Sequence, residues 1–350
     1  MIQPPPAPLR LRIDPQALAG NWRALDAKSG AARAGAAVKA DGYGLGAMHV
    51  VPVLRDAGVQ DFFVAHWCEV PALLAHLPPG QIAVLHGPVT AEDAAYALGT
   101  GVRPVINSVQ QARLWLGAGG GLCDLMVDTG MNRLGLPPSQ LNEPDIARLQ
   151  VHTLHSHLAS ADEDSAQNRE QLALFRQVAG ARSAGRRALA NSAGIALGAD
   201  YAFDLTRPGI ALYGGTPRGE LADEIRQVAF PQARILQVRQ LDAGDRVGYN
   251  GVFTAPGPMR VATVALGYAD GYLRAWGGRG VLHAGTDRLP LLGRVSMDMV
   301  VADLSAAPHL GPGDWLDVPY TLHDAAQASG LSQYELLTLL GPRLERFVAG

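Results

Sequence analysis

Lys39 is one of only two lysines in the 350-residue chain, and it follows an apolar run, residues 34–38. The chain then breaks into a loop spaced by glycines. A strand that ends in a lysine, followed by glycines that let backbone and ligand approach closely, can present an amine to a carbonyl compound. We therefore interpret Lys39 as a Schiff-base lysine. A solvated lysine at a strand end is the alternative that this segment alone leaves open.

Two later segments could bind a phosphate group. The turn that begins with Asn191 and Ser192 offers a hydroxyl and open backbone amides, and the segment with Gly209 and Ile210 offers a second amide pair. Barrels often bind phosphate between the loops that follow strands seven and eight. An ordinary helix cap is the alternative for Asn191 and Ser192. Taken together with Gly209 and Ile210, the pattern favours a phosphate site.

An amine at a strand end and a phosphate site together indicate a phosphorylated aldehyde cofactor, of which pyridoxal 5'-phosphate is the common one. Arg207 could then face the ring nitrogen, with a structural salt bridge as the alternative. A fixed cation beside that nitrogen disfavours its protonation. Such a site should favour simple proton transfer over chemistry that needs a strong electron sink.

The elements that must position these residues alternate along the first two thirds of the chain. Helical patterns begin at Asp14 and Pro15 and extend over residues 137–149 and 163–183. Eight strands alternating with helices predict a parallel (β/α)8 TIM-like barrel, and a doubly wound sheet is the alternative. The predicted strands end near Lys39, Ala65, His86, Ile106, Asp128, His155, Ala190 and Thr206.

The sequence pattern changes after about Val228, where short runs of alternating apolar and polar residues are separated by turns that contain glycine. This spacing predicts a mostly β C-terminal domain. We therefore expect two domains, a cofactor-binding barrel over residues 1–228 and a β domain over residues 229–350.

Composition favours a small-molecule partner. A net charge of -3, from 29 basic and 32 acidic residues, gives no field that would attract nucleic acid or anionic lipid. Two cysteines cannot build a disulfide framework, and residues 1–8 lack the apolar core of a signal peptide. No window reaches the roughly 18 apolar residues of a membrane span. We expect a soluble cytoplasmic protein that binds neither nucleic acid nor membrane.

At this point the sequence resembles the alanine racemases, pyridoxal-phosphate-dependent amino-acid racemases of fold type III. The motifs that carry the resemblance are Ala37–Gly44, Val127–Gly135, Ser156–Ala159, Asn191–Ser192, Arg207–Gly214, Gly267–Gly271 and Gly293–Asp298. They occur in the family's order and, with Tyr334, cover nearly the whole chain. The resemblance implies a pyridoxal-phosphate barrel, a β domain, and a head-to-tail homodimer whose sites share residues.

The resemblance also implies roles for individual residues. Lys39 would hold the cofactor and act as one base, and Tyr268 of the other subunit would be the opposite base. Arg207 would face the ring nitrogen, and His157 would pack near the ring. Tyr43, Ser192, Gly209, Ile210 and Tyr334 would contact the phosphate, beside Asn191, whereas Arg133, Met297 and Asp298 would contact the substrate.

Two bases suit the reaction that the resemblance implies, the interconversion of L-alanine and D-alanine. Racemisation removes a proton from one face of a planar carbanion and returns one to the other face, so two acid/base groups must flank it. A free tyrosine has a pKa of about 10, so a nearby arginine or the cofactor itself must stabilise its anion if Tyr268 is to serve as a base. One departure is Met126, where family members often have a lysine that anchors the arginine equivalent to Arg133.

The resemblance also implies a link to D-alanine, a peptidoglycan precursor. The sequence does not decide between a biosynthetic and a catabolic role.

Other functions remain as alternatives. His155 and His157 alternate on one predicted strand and could be ligands of a metal-dependent barrel hydrolase. A non-catalytic pyridoxal-phosphate carrier would not need Tyr268, and a barrel decarboxylase of basic amino acids would not need a base on the opposite face. Within the racemase interpretation, a broader specificity that includes serine is the main alternative. No metal is expected.

Overall fold

The computed structural model describes residues 5–349, so the first half of the N-terminal segment 1–8 lies outside the described residues. The chain forms two compact units. One unit contains Gln16–Arg226, and the other combines the chain up to Pro15 with the chain from Gln227 onwards.

The larger unit is built on parallel strands that follow one another around a barrel. Seven of them pair in sequence order from β3 to β9, and a separate pair joins β10 to β2. The strands are β2 (Arg33–Ala34), β3 (Ala36–Ala37), β4 (Phe62–Val64), β5 (Ile82–Val84), β6 (Arg103–Ile106), β7 (Leu122–Met126), β8 (Gln150–His155), β9 (Arg186–Ala188) and β10 (Leu205–Thr206).

The barrel closes at Gly35, which separates β2 from β3 in what is otherwise one strand. The Gly35 amide donates to the Thr206 carbonyl at 2.9 Å, so β10 pairs with this first strand. A Cβ at position 35 would lie 2.7 Å from the carbonyl oxygen of Asp61 and 2.9 Å from the Phe63 ring. Only glycine fits between the neighbouring strands, and closure excludes a doubly wound open sheet.

Helices connect the barrel strands, as the sequence predicts. Threonine and serine caps start several of them; for example, the Thr90 side chain accepts the amide of Asp93. The helical segments of this unit are α1 (Pro15–Lys28), α2 (Lys39–Tyr43), α3 (Ala47–Ala57), α4 (Val70–Leu74), α5 (Ala91–Thr100), α6 (Val109–Gly117), α7 (Pro144–Ala147), α8 (Ala166–Ala181) and α9 (Ser192–Ala196).

One predicted helix is wrong. Residues 137–149 form only a 3-10 turn, Pro138–Gln140, and the short α7, Pro144–Ala147. Proline has no amide hydrogen and disfavours helix in the residue before it, so Pro144 starts a new helix rather than continuing one.

The second unit is an antiparallel β domain, as the sequence predicts. β11 also pairs with β14, so six strands form a closed ring in the order β14-β17-β16-β15-β18-β11, and β1 and β19 extend it. Its elements are β1 (Leu9–Ile13), β11 (Ala229–Leu241), β12 (Arg246–Val247), β13 (Phe253–Thr254), β14 (Met259–Val264), β15 (Val281–Ala284), β16 (Asp287–Leu292), β17 (Val300–Asp303), β18 (Trp315–Asp317), α10 (Leu322–Ser329), α11 (Gln333–Thr338) and β19 (Glu345–Val348).

The described residues from 5 to Pro15 belong to the β domain, whereas the sequence pattern predicts a barrel domain over residues 1–228. β1 runs antiparallel to β11, with Leu11 opposite Pro231, and parallel to β19. A single strand that is distant in sequence from its partners carries no signal of its pairing. The predicted (β/α)8 barrel followed by a mostly β domain is otherwise confirmed.

No helix among residues 5–349 is both long and apolar enough to cross a membrane. Cys68 is exposed and Cys123 is buried, and both are free thiols.

Leu11 should be essential for the stability of the β domain, because its side chain is fully buried in β1. We expect Leu11→Ala to lower the free energy of unfolding by about 2 to 5 kcal/mol, the usual cost of removing a buried leucine side chain. Leu236→Ala is the control, because Leu236 lies in the paired strand β11 but is 46% exposed. Urea denaturation measures both, and equal losses would contradict the assignment of β1 to this core.

Candidate active site

Lys39 follows β3 directly and begins a turn with an unusual backbone. Ala40, Asp41 and Tyr43 have φ angles of 53°, 53° and 55°, and Gly42 between them has a φ of 64°. A residue with a Cβ pays roughly 1 to 2 kcal/mol in this left-handed region. The Asp41 carboxylate accepts the amide of Ala47 at 2.7 Å and helps to hold the turn. Sustained strain of this kind is typical of functional sites.

The environment of Lys39 lowers its pKa. Burial is the main cause, because a charged ammonium is poorly solvated there, and the positive charge of Arg133 acts in the same direction. Glu69 opposes both effects, and its carboxylate is itself held by the amides of Ala40, Ala65 and His66. A lowered pKa gives a larger fraction of neutral amine, which is the nucleophilic form.

The two predicted phosphate segments meet in the structure. The Ser192 hydroxyl oxygen accepts the amide of Gly209 at 2.9 Å and that of Ala211 at 3.3 Å, and it is buried. Asn191 caps the helical turn that follows, because its side chain accepts the amide of Gly194 at 2.8 Å. Asn191 is therefore a helix cap, and the Ser192 hydroxyl joins the two loops.

Tyr43 approaches the same place from the Lys39 turn. A Cβ at position 209 would lie 2.2 Å from the Tyr43 hydroxyl oxygen, so only glycine allows this approach. The Tyr43 ring stacks on Tyr213 with a centroid distance of 4.8 Å. The hydroxyls of Tyr43 and Ser192 thus both lie against the backbone of Gly209, where a side chain is excluded, and the buried Ile210 follows in the chain. Such a cradle fits the phosphate of pyridoxal phosphate.

Arg207 lies in the barrel interior and is almost completely buried. Its guanidinium donates to the Ser156 carbonyl at 2.5 Å and the Leu189 carbonyl at 3.4 Å, and it contacts the ring nitrogen Nδ1 of His155 at 3.2 Å. Burial lowers the pKa of Arg207 to about 10, although the charge of Asp124 opposes the shift. The side chain remains a cation at neutral pH.

Four of the predicted residues act on one another electrostatically. Burial lowers the pKa of His157 to about 3, and the cations of Arg207, Arg133 and Lys39 contribute in the same direction. His157 is therefore neutral at physiological pH. The structure thus brings Lys39, Arg133, His157 and Arg207 together at one end of the barrel.

Arg133 has no anchor of the kind that the family's lysine would provide. It is exposed, and within residues 5–349 no carboxylate lies within ion-pair distance of it. Met126, at the position of that lysine, is buried in β7. The free guanidinium leaves Arg133 able to bind a carboxylate from outside the chain.

The remaining predicted residues lie in the β domain, and three of them form one cluster. Tyr268 sits in a 3-10 turn, Tyr268–Asp270, whose first amide donates to the Ser296 carbonyl at 3.1 Å. A Cβ at Gly267 would lie 2.2 Å from the Met297 carbonyl oxygen, so the two loops touch through their backbones. Tyr334 belongs to this domain as well, on α11, and is 46% exposed.

Arg343 fastens this cluster. Its guanidinium donates to the carboxylates of Asp270 and Asp298, each at 2.7 Å. Asp270 in turn accepts the amide of Gly267 at 2.9 Å, immediately before Tyr268. The guanidinium of Arg274 lies 5.3 Å from the centroid of the Tyr268 ring. Arg274 thus makes a cation–π contact with the ring of Tyr268.

The alternative of a metal site finds no support in the side chains. Among residues 5–349 no group of three histidines, cysteines, aspartates or glutamates is arranged to hold a metal ion. His155 is instead fully buried and contacts Asp124 and Arg207.

Four charged residues behind the site are not predicted from the sequence, namely Glu69, Asp124, Arg274 and Arg343. Asp124 had a detectable signal, because it is a carboxylate in the apolar strand Leu122–Met126. A buried charge must be paired, so its presence there predicts a partner on a neighbouring strand.

Comparison with known proteins agrees with this geometry. The family model of the alanine racemase N-terminal domain matches residues 13–217, and that of the C-terminal domain matches residues 228–348. The alanine racemase of Methylobacterium nodulans is 42% identical to this chain, and the alignment covers 96% of this chain and 95% of that protein. The alanine racemase of Rhizobium meliloti is 40% identical, and the alignment covers 97% of each chain.

A solved structure gives the same result. The crystal structure of alanine racemase from Bartonella henselae, with covalently bound pyridoxal phosphate, is 34% identical and superposes with a TM-score of 0.89. The superposition covers 99% of this chain and 100% of that one. The resemblance inferred from the sequence motifs is confirmed: the chain belongs to the alanine racemase family.

Proposed function

We propose that this protein is a pyridoxal-phosphate-dependent racemase that interconverts L-alanine and D-alanine in the cytoplasm. The observation that carries the proposal is the placement of Lys39. Lys39 lies at the end of a barrel strand, and its amine has a lowered pKa. The turn that begins at Lys39 brings Tyr43 to the cradle of Ser192 and Gly209. An amine and a phosphate cradle joined by one short turn fit a phosphorylated aldehyde.

The cofactor would supply an electron-withdrawing system that acidifies the α-proton of a bound amino acid. Lys39 would hold it covalently, and Tyr43, Ser192, Gly209 and Ile210 would bind its phosphate, with Asn191 shaping the turn. Arg207 would donate to the ring nitrogen and keep it unprotonated. His157 would pack against the ring, and Arg133 would bind the substrate carboxylate.

Lys39 and Tyr268 would exchange protons with opposite faces of the substrate's α-carbon. The lowered pKa of the Lys39 amine would suit it to act as a base at one face. The Tyr268 turn is held rigidly by backbone contacts with Ser296 and Met297, so its hydroxyl can be placed with little loss of entropy.

We propose that Tyr268, Met297 and Asp298 complete the site of a second copy of the chain in a homodimer, whereas Tyr334 contacts the phosphate. The exposure of the side chains supports this arrangement. Met297 and Tyr334 are 53% and 46% exposed, and Tyr249 and Val252 in the same domain are 64% and 53% exposed. Exposed large apolar side chains such as these can form part of a protein interface.

The two lysines should differ in reactivity. We expect Lys39 of the cofactor-free protein to react with an amine-directed reagent at pH 7.5 faster than Lys28, because its lowered pKa leaves more neutral amine. Lys28 is a matched internal control, since it is also partly exposed and is held in an ion pair with Glu224 at 2.7 Å. Peptide mass spectrometry measures both rates, and faster labelling of Lys28 at pH 7.5 would refute the assignment.

The cradle predicts a specific effect of Gly209→Ala. The new methyl group would displace the Tyr43 hydroxyl, and the loss of a hydrogen bond to a charged phosphate costs about 1.5 to 3 kcal/mol, or roughly tenfold or more in cofactor affinity. Gly219→Ala is the control, because nothing lies within 4 Å of a Cβ at position 219. Fluorescence titration with pyridoxal phosphate measures the affinity. Equal affinities for the two variants would move the phosphate site elsewhere.

Complementation between subunits tests the reaction and the dimer together. Lys39→Ala and Tyr268→Phe should each abolish racemisation of L-alanine, but Tyr268→Phe should still bind the cofactor. In a mixture, half of the dimers are mixed, and each mixed dimer has one site with both native residues. We expect a chiral assay to recover about a quarter of wild-type activity if the sites act independently.

The control for this experiment is Tyr249→Phe, which alters an exposed tyrosine of the same domain and should remain active. Failure to recover activity despite proven subunit exchange would mean that Tyr268 serves the site of its own chain or is not a base. If borohydride reduction of the loaded wild-type protein labels Lys28 rather than Lys39, the proposed function itself fails.

A further inference from the structure

A series of six contacting side chains, five of them arginine or aspartate and one a histidine, runs through the barrel from Arg207. Each member contacts the next, from Arg207 to His155 at 3.2 Å, His155 to Asp124 at 3.2 Å, Asp124 to Arg103 at 3.5 Å, Arg103 to Asp61 at 3.4 Å, and Asp61 to Arg186 at 2.6 Å. We call these six residues the barrel relay. They come from or adjoin six different strands of the barrel.

The hydrogen-bonding roles at His155 follow from the chemistry of its neighbours. A guanidinium can only donate, so the Nδ1 atom of His155 must accept from Arg207. The proton of a neutral imidazole then lies on Nε2, which donates to the Asp124 carboxylate. Burial lowers the pKa of His155 to about 4, despite the raising effect of Asp124, and the ring is therefore neutral at physiological pH. Both ring nitrogens are satisfied in only one tautomer.

Asp124 is fixed as an anion. Its complete burial acts to raise its pKa, but hydrogen bonds with His152 and His155 and the charge of Arg103 outweigh this and hold the pKa well below its usual range. The amide of Thr153 donates to the same carboxylate at 3.1 Å. The negative end of the Asp124–His155 pair is thus anchored to the backbone of β8.

We propose that Asp124 and His155 are positioning residues that act through Arg207, fixing the plane of its guanidinium where the ring nitrogen of the cofactor would bind. The inference rests on the proposed function for what Arg207 faces. The pair connects a carboxylate to the buried arginine without bringing the two into direct contact: within residues 5–349, no carboxylate lies within 4 Å of Arg207.

The neutral imidazole between the charges explains why the arrangement suits this site. A carboxylate in direct contact would form a closed ion pair and occupy the donors of the guanidinium. The imidazole accepts one N–H and conveys only part of the negative charge, so Arg207 keeps its positive charge toward the site. A donor that remains a full cation disfavours a proton on the nitrogen that faces it.

The other half of the barrel relay has a structural explanation. Asp61 accepts two hydrogen bonds from Arg186, at 2.8 and 2.6 Å, and so joins the segment before β4 to β9. Arg103 links this pair to Asp124. These contacts balance the charge of Asp124 from the side opposite to His155, so the positioning role is confined to Asp124 and His155.

The first test needs neither cofactor nor activity. In cofactor-free protein labelled with 15N-histidine, long-range proton–nitrogen correlation spectra distinguish the two tautomers and the charged form, and the His155→Gln variant identifies the signal. We expect His155 to be neutral with its proton on Nε2 at pH 7. A proton on Nδ1, or a charged ring, would overturn the inference.

The second test compares two substitutions of His155. Glutamine can accept from Arg207 and donate to Asp124 at once, whereas methionine can do neither. We expect His155→Met to weaken pyridoxal-phosphate binding by about tenfold or more, as expected for a lost hydrogen bond to a charged group, and His155→Gln to remain within about threefold of wild type. The side-chain 15N signals of Arg207 should move in the methionine variant and return in the glutamine variant.

His152→Met is the matched control. His152 is on the same strand and 3.5 Å from Asp124, but its ring bonds to Thr153 and does not contact Arg207. Because His152 also bonds to Asp124 and reaches Arg207 only through it, we expect His152→Met to change the Arg207 signals and the cofactor affinity clearly less than His155→Met does. Equal effects of His152→Met and His155→Met, or unchanged Arg207 signals in folded His155→Met, would overturn the positioning role. A wild-type protein that binds no pyridoxal phosphate would instead refute the proposed function, and the tautomer would still test the pair.

Discussion

The burial of the Arg207 guanidinium is the constraint around which the barrel interior is arranged. A cation removed from water costs several kcal/mol unless its donors are met by acceptors. Two backbone carbonyls, of Ser156 and Leu189, and the imidazole of His155 supply them. Because the third acceptor is itself anchored by Asp124, the arginine is fixed from behind while its charge remains available toward the site.

A second constraint is the left-handed turn after Lys39. Three residues with a Cβ occupy a region that favours glycine, and the strain persists only because surrounding contacts hold it. The turn places Lys39 at the strand end and returns Tyr43 to the cradle of Gly209 within four residues. An unstrained right-handed helix would direct the tyrosine differently, so the geometry of amine and phosphate cradle depends on this backbone.

The sequence predicts those structural features of this protein whose determining residues lie close together in the chain. Lys39, Ser192, Gly209 and Arg207 lie at strand ends within short motifs, so their convergence follows once the barrel is assumed. The pairing of β1 with β11 depends on contacts more than 200 residues apart in sequence, which no local pattern encodes. The segment 137–149 has helical spacing, but the local restriction imposed by Pro144 overrides it.

The acid/base groups that we assign also differ in how they are held, and the difference suits their roles. As the residue that would hold the cofactor, Lys39 begins a turn with a constrained backbone, and its side chain stays partly accessible. Tyr268 needs only to exchange a proton, and its turn is fastened by Gly267 against Met297 and by Arg343 through Asp270. The side chain of Tyr268 remains half-buried, with the Arg274 guanidinium over its ring, so a rigid turn supports a side chain that is still partly accessible. Two acid/base groups held on separate rigid turns suit a reaction that exchanges protons at opposite faces of one carbon atom.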